Sequence, residues 1–202
     1  DRRLAAASTD AARAALPPLL GVPCSVKECI AVAGMPQTAG LVARTGRLAP
    51  ADAFSVARLR AAGAIPLGVT NTSELCMWWE TDNRVYGRTR NPYDPSRIVG
   101  GSSGGEGALV GSGASPIGIG ADIGGAIRMP TFFCGIFGHK PTGGLVSLDG
   151  HFPDATGPAR KAGEKVIFQF PMDPVKIGAR VYQYLPGQRR VKLAPDIAYD
   201  TP

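Results

Sequence analysis

The sequence predicts an α/β fold in which a mixed, twisted β-sheet is covered by helices. Residues 23–70 alternate strand, helix and strand, which is the rhythm of layered α/β proteins. Of the 202 residues, 44% are hydrophobic, an ordinary share for a globular domain, and the length suffices for a buried core. Eleven of the 27 glycines fall between residues 100 and 126, where a helix and a strand of small residues are expected.

The first elements follow from propensity and capping. The Ala-rich stretch 3–15 favours a helix that ends before two consecutive prolines. Residues 23–30 are partly β-branched and favour a strand that ends near Lys27. Asp52 is expected to cap a helix over residues 53–62, which a glycine terminates.

The middle of the chain continues the same alternation. Residues 64–70 favour a buried strand, and residues 71–79 are expected to form a short helix. Glycine-rich segments then flank a helix over 104–113 and a strand over 116–121. Glycine costs a helix about 1 kcal/mol relative to alanine. Its repeated use here therefore predicts close backbone approach or unusual dihedral angles.

The last 45 residues differ in character from the rest. Residues 158–202 hold eight Lys or Arg against four Asp or Glu, which accounts for four of the six net positive charges. Prolines are scattered and no helical period is visible, although 166–170 and 181–184 favour strands. We predict two regions, a core over residues 1–158 and a divergent basic tail over residues 159–202.

Composition argues against several classes of function. A net charge of +6 and an isoelectric point of 9.4 invite a nucleic-acid interpretation, but no basic stripe with interleaved aromatics occurs, so no nucleic-acid partner is expected. No apolar run approaches ~18 residues, and residues 1–30 do not show the pattern of a secretory signal, so we expect none in the sequence given. Because the sequence begins with Asp1, we expect its natural start to lie upstream. We expect an intracellular protein, and membrane association through missing segments is a further hypothesis.

The cysteines predict free thiols. Cys24, Cys29, Cys76 and Cys134 form no C-x-x-C pair, and neither histidine is spaced from them as a ligand. We therefore expect no metal and no zinc site. Thiols in a reducing compartment fit this pattern best.

The Gly-Gly-Ser-Ser-Gly-Gly run at residues 100–105 has three interpretations: a phosphate cradle, a flexible linker, or a loop that carries a catalytic serine. The lysine of a Walker loop is missing, and so is the G-x-G-x-x-G pattern. A linker would not run directly into an apolar segment and a strand. A Ser-His-Asp site needs a histidine base, and the sequence offers only two candidates, His139 and His151, which makes such a site a poor fit. The remaining base is a lysine, whose charged form desolvation disfavours.

Seven motifs occur in order between residues 20 and 158. They lie at residues 21–28 (GVPCSVKE), 63–71 (GAIPLGVTN), 73–78 (SELCMW), 91–94 (NPYD), 100–107 (GGSSGGEG), 122–128 (DIGGAIR) and 138–142 (GHKPT). With these motifs the chain resembles the amidase-signature family of serine amide hydrolases. The resemblance implies the amidase-signature fold, incomplete here at its C-terminus, and cleavage of carboxylic amides, with fatty-acid amides as one substrate class.

The resemblance implies a Ser–Ser–Lys triad. Lys27 matches the base, and Ser102 matches the bridging serine, which follows a cis peptide bond in the family. The amides of Ile123, Gly124, Gly125 and residue 126 match the oxyanion hole. Preorganised donors of this kind contribute ~2.7–4 kcal/mol each in other enzymes.

The chain departs from the family pattern at the nucleophile. The family has serine at the position that Ala126 occupies here. An alanine forms no acyl-enzyme, and loss of a triad nucleophile lowers kcat by up to ~10⁶-fold. We therefore expect impaired or absent hydrolysis. A non-catalytic pseudoenzyme or ligand-binding protein on the same fold is the alternative.

Further expectations follow from the resemblance. Met77 and Ser103 are candidate substrate-binding residues, and Ser103 is a weaker candidate for a substitute nucleophile. No cofactor is implied. The expected partner is a small amide, with a homodimer as a second partner hypothesis. Because a sheet that lacks strands exposes edges and apolar surface, we expect low stability of the isolated chain.

Overall fold

The computed structural model describes residues 5–153 and the backbone of three strands between residues 165 and 193. The chain divides into two compact units, Asp1–Pro153 and Asp154–Pro202. The boundary predicted at residue 158 stays a prediction.

The first unit is built on three parallel strands. They are β1 (Pro23–Lys27), β2 (Ile65–Thr70) and β3 (Gly118–Ile119), in the order β2-β1-β3. Its helices are α1 (Asp10–Ala14), α2 (Phe54–Ala61), α3 (Gly104–Gly111) and α4 (Arg128–Phe133). Helix α2 packs on β2, and α3 packs on β1 and on α4. The predicted α/β class is confirmed.

The central strand β1 separates an apolar layer from a polar one. Side chains alternate across a strand, so Val26 points opposite to Ser25 and Lys27. Val26 belongs to the buried cluster that also contains Cys29, Ile30, Ala31, Val32, Ala39, Ala49, Ala53 and Val56. Ser25 and Lys27 are buried on the other face, where their partners are polar. The alternation delivers a lysine side chain to the carboxyl end of the central strand.

Helix α3 begins with glycines because other backbone segments lie against it. A Cβ at Gly105 would stand 2.5 Å from the backbone nitrogen of Asn71, and one at Gly107 would stand 3.0 Å from Pro130. The close backbone approach predicted from the glycine content is present. The strand predicted over 116–121 is reduced to the two residues of β3.

Two local predictions are wrong. Asp52 does not cap α2, because its carboxylate accepts a hydrogen bond from the amide of Ala33 and pairs with Arg60, each at 2.8 Å. The short helix expected over 71–79 is a single 3₁₀ turn, Glu74–Cys76. Leu75 and Cys76 have φ of 52° and 59° there, and this left-handed geometry cannot continue a helix.

Other predicted ends shift. Within the stretch 3–15 that was predicted to be helical, helix α1 begins at Asp10. Thr9 caps it, because its hydroxyl accepts a hydrogen bond from the amide of Ala12 at 3.1 Å. The start of that prediction lies partly outside the described residues. In the part of the chain that the structure describes, no helix is long and apolar enough to cross a membrane.

The second unit contains an antiparallel sheet of three strands in sequential order. They are β4 (Lys165–Gln169), β5 (Arg180–Leu185) and β6 (Arg190–Leu193). The strands predicted over 166–170 and 181–184 match β4 and β5 closely. Strand β6 was not predicted. Its basic and apolar residues alternate as in a strand, but the run is only four residues long.

Candidate active site

A lysine and a serine meet at the end of the central strand. Lys27 closes β1 and is fully buried, and Ser102 precedes α3 with 1% of its surface exposed. The Nζ atom of Lys27 lies 2.6 Å from Oγ of Ser102. Its second partner is the carbonyl oxygen of Ala121, at 3.5 Å. The two side chains form a direct hydrogen-bonded pair shielded from solvent.

The segment after Lys27 is anchored by its neighbour, Glu28. This buried carboxylate accepts hydrogen bonds from the amides of Thr38 and Ala39, at 2.5 and 2.7 Å. It also accepts from the hydroxyls of Thr38 and Tyr86, at 2.7 and 2.8 Å. These four bonds fix the backbone that carries Lys27.

The backbone of the loop that carries Ser102 is held by close packing and by hydrogen bonds from Thr81. The peptide bond between Gly101 and Ser102 is cis, as the resemblance implies. A Cβ at Gly101 would stand 2.8 Å from the carbonyl oxygen of Trp78. The Thr81 hydroxyl donates to the carbonyl of Gly100 and accepts from the amide of Gly104, each at 2.9 Å. Thr81 therefore ties the two ends of the loop together.

Ala126 lies beside this loop. Its carbonyl accepts a hydrogen bond from the amide of Ser103 at 3.2 Å, and 7% of its surface is exposed. Position 126 is therefore adjacent in space to the Ser102–Ser103 segment. The side chain at position 126 is a methyl group, and the assignment of this position to the nucleophile stays a prediction.

Asp122 holds the 122–128 loop together. Its buried carboxylate accepts hydrogen bonds from the amides of Gly125, Ile127 and Arg128 at 2.7 to 3.2 Å. It also forms a two-pronged ion pair with the Arg128 guanidinium at 3.0 Å. Burial alone would raise the pKa of Asp122, but these hydrogen bonds outweigh it and hold the pKa well below its ordinary value.

The backbone amides of this loop differ in availability. The Gly125 amide is engaged by Asp122. Among the described residues, no acceptor is found for the amides of Ile123, Gly124 and Ala126. The oxyanion-hole assignment of Ile123, Gly124 and Gly125 stays a prediction, and the Gly125 amide would have to leave Asp122 to take part.

The two residues expected to bind substrate lie in different surroundings. The Met77 side chain is exposed, with 73% of the residue open to solvent. Ser103 is buried, and its hydroxyl donates to the carbonyl of Ala121 at 3.1 Å. That bond occupies the hydroxyl offered as a substitute nucleophile. Both substrate-binding roles stay predictions.

A cavity of about 840 Å³ adjoins the pair without including it. Its walls come from α2, α3, β3, α4 and the segment 136–147, and they include Ser103 and Glu106. Lys27, Ser102 and Ala126 do not line it.

Glu106 is a buried carboxyl group that was not predicted as a site residue. It accepts hydrogen bonds from the hydroxyls of Ser25 and Thr70, each at 2.5 Å. Burial raises the pKa of Glu106 to about 7, against the lowering effects of these bonds and of Lys27. The sequence signal was its place inside the glycine-rich motif.

A second cluster joins Cys29, Cys76 and His151. Their Sγ and imidazole nitrogen atoms all lie within 4.8 Å of one another. Burial raises the pKa of Cys29 well above its ordinary value, while the hydrogen bond from Cys29 holds the pKa of Cys76 below its own. The sequence analysis expected no such group, because it looked for ligands spaced closely along the chain. These three residues come from segments that are far apart in the sequence and meet only in the fold.

The amidase family profile matches residues 1–162. A second profile, described as a protein of unknown function (DUF1329), matches residues 149–202. The chain is 63% identical to zebrafish (Danio rerio) fatty-acid amide hydrolase 2-A over 140 residues, which are 69% of this chain and 26% of that protein. It is 51% identical to human (Homo sapiens) fatty-acid amide hydrolase 2 over 185 residues, which are 87% of this chain and 33% of that protein.

Solved structures agree with these relatives. The native peptide amidase from Stenotrophomonas maltophilia superposes with a TM-score of 0.65 at 36% identity, covering 75% of this chain and 32% of that chain. The chain thus spans between a quarter and a third of the length of these relatives. On the profile match, the ordered motifs and the shared fold, the chain belongs to the amidase family.

Proposed function

We propose that this chain carries two members of a Ser–Ser–Lys amide-hydrolysing site, the base Lys27 and the bridging serine Ser102. Ala126 occupies the position of the nucleophilic serine. The observation that carries the proposal is the 2.6 Å separation between Nζ of Lys27 and Oγ of Ser102, both buried. In an intact triad, the Lys27 side chain would act as the base that accepts the Ser102 proton while Ser102 accepts the proton of the attacking hydroxyl. With a methyl group at position 126, this relay has no donor and no acyl-enzyme forms.

We infer that the substrates are carboxylic amides, and that long-chain fatty-acid amides are the favoured candidates within this class. The support is the 63% and 51% identity to proteins named fatty-acid amide hydrolase 2. The backbone amides of Ile123, Gly124 and Ala126 are the proposed donors to the developing oxyanion. A homodimer stays a prediction.

The test is a pair of measurements on the full chain. The parent is expected to bind a long-chain fatty-acid amide in calorimetry without releasing fatty acid. Ala126→Ser is expected to gain hydrolysis, by up to ~10⁶-fold over the parent, since that is the effect of losing a triad nucleophile in a comparable enzyme. Ala126→Gly is the matched control, because it alters the same position without supplying a hydroxyl.

A non-catalytic ligand-binding role on the amidase fold is the alternative, favoured by Ala126 itself. The two readouts separate these functions. Amide binding by the parent together with no turnover by folded Ala126→Ser would support the ligand-binding role and overturn the hydrolytic one.

A further inference from the structure

Three ligand-type side chains converge beside the proposed active site without any part in its chemistry. Cys29 lies in the turn after β1, Cys76 ends the 3₁₀ turn, and His151 pairs with Ile30 through an isolated antiparallel bridge. The Sγ atoms of both cysteines and an imidazole nitrogen all lie within 4.8 Å of one another.

The histidine is oriented as a ligand. Its Nδ1 lies 3.1 Å from the carbonyl oxygen of Pro153, and because a carbonyl only accepts, Nδ1 carries the proton. This leaves Nε2 as the ring nitrogen that faces the cysteines, and it lies 3.3 Å from Sγ of Cys29. Metal-bound histidines are typically held this way, with the distal ring nitrogen donating to a carbonyl or carboxylate.

The backbone holds the two cysteines in place. The Cys29 carbonyl accepts hydrogen bonds from the amide of Phe152 at 2.8 Å and from the Gln37 side chain at 3.2 Å. These bonds connect the segment of His151 to Cys29. Cys76 follows Leu75, whose amide donates to the carbonyl of Ala39 at 2.7 Å. The ligand atoms therefore need little rearrangement to face one ion.

We propose that Cys29, Cys76 and His151 bind one zinc ion, through the two thiolate sulfurs and Nε2 of the imidazole, with water as the fourth ligand. Two thiolates and one imidazole are a ligand set that Zn²⁺ prefers, whereas Mg²⁺ and Ca²⁺ prefer oxygen ligands, and the group contains no carboxylate. Two thiolates balance the charge of a dication. A sulfur that still carries a proton loses it to the buffer when its bond to the metal forms.

Zinc binding at these three side chains is independent of amide hydrolysis. Zinc would join three segments: the turn after Lys27, the 3₁₀ turn beside the exposed Met77, and the segment that ends the first unit. It would raise the melting temperature of the parent, since an ion that binds only the native state stabilises that state by mass action.

The experiment titrates the reduced full chain with Co²⁺ alone and then displaces it with Zn²⁺. One Co²⁺ per chain is expected, with the intense visible bands of a tetrahedral site and a thiolate-to-metal charge-transfer band. Cys76→Ser and His151→Gln are expected to weaken binding by at least ~100-fold, because even outer-shell changes cost ~10–100-fold. Cys134→Ser, a buried cysteine outside the cluster, is the matched control and keeps the parent's affinity.

A second measurement needs no variant. Calorimetry of Zn²⁺ binding in buffers of different ionisation enthalpy is expected to show net release of protons, chiefly from the Cys29 thiol. Uptake by Cys76→Ser or His151→Gln equal to that of the parent would overturn the site. So would the absence of one-to-one binding by the parent.

Discussion

The side-chain nitrogen of Lys27 and the hydroxyl oxygen of Ser102 are 2.6 Å apart, although 75 positions separate the two residues in the chain. The parallel sheet explains this, since Lys27 ends its central strand and Ser102 precedes the helix that packs on that strand. Burial leaves each side chain few partners. Among the described residues, the hydrogen-bond partners of the Lys27 nitrogen are the Ser102 hydroxyl and the carbonyl oxygen of Ala121.

Removing the Asp122 carboxylate should destabilise the protein strongly. Asp122→Ala leaves three backbone amides and the Arg128 guanidinium without their acceptor. We expect the free energy of unfolding to fall by about 2–4 kcal/mol in urea denaturation. Because hydrogen bonds depress the pKa of Asp122, its stabilising effect is present above the unfolded pKa of 3.8 and is lost as the pH falls through the folded value.

Asp94→Ala is the matched control for Asp122→Ala. Asp94 also accepts a backbone amide and pairs with an arginine, Arg97, but the pair is exposed. Exposed pairs contribute little, so a much smaller loss than for Asp122→Ala is expected. Equal losses for the two variants would show that the 122–128 loop is not held by Asp122.

Glu106 should make stability depend on pH in the neutral range. Its folded pKa of about 7 lies above the unfolded value of 4.5, so its contribution is fully present below 4.5 and is lost as the pH rises through 7. At about 1.4 kcal/mol per pKa unit, the change is about 3 kcal/mol. Glu106→Gln, which resembles the protonated form, should remove this dependence in urea denaturation between about pH 5 and pH 8.

The comparison between parent and variant isolates Glu106 from other titrating groups. Glu74→Gln, at an exposed position, should keep the pH dependence of the parent. If the difference in unfolding free energy between Glu106→Gln and the parent stays constant with pH, the carboxyl group does not titrate in this range.

Gly105→Ala should destabilise the protein although alanine favours helices. The added Cβ would stand 2.5 Å from the backbone nitrogen of Asn71 and 2.6 Å from its carbonyl oxygen, so backbone must move. We expect a loss of about 1–3 kcal/mol, as for other overpacked sites. Gly68→Ala, in β2, adds a Cβ with no atom within 4 Å and should change thermal stability little. A Gly105→Ala protein as stable as the parent would contradict the packing of α3.

Elements with strong local signals could be predicted from the sequence. The strand that ends at Lys27, the helix after Asp52 and the glycine-rich helix after Ser103 all appear close to their predicted positions. Their apolar patterns and glycines report local geometry. The family resemblance added the Ser102 assignment, which spacing alone would not have produced.

Other features depend on contacts between distant segments. Asp52 was expected at a cap but turns to the amide of Ala33, a competing partner that no local rule reveals. The helix expected near Cys76 gives way to left-handed residues because tertiary contacts there outweigh propensity. The meeting of Cys29 and His151 likewise arises from the fold.

The most direct test of the central claim is covalent labelling at position 126. A fluorophosphonate probe transfers its phosphonyl group to an activated serine with loss of fluoride, whatever amide the protein binds. Intact-mass and peptide mass spectrometry of Ala126→Ser should show one adduct, mapped to position 126, and the parent should show none. Adding Lys27→Ala to Ala126→Ser should slow labelling by at least ~100-fold, the usual contribution of a general base. No adduct on folded Ala126→Ser, or equal labelling without Lys27, would contradict the account.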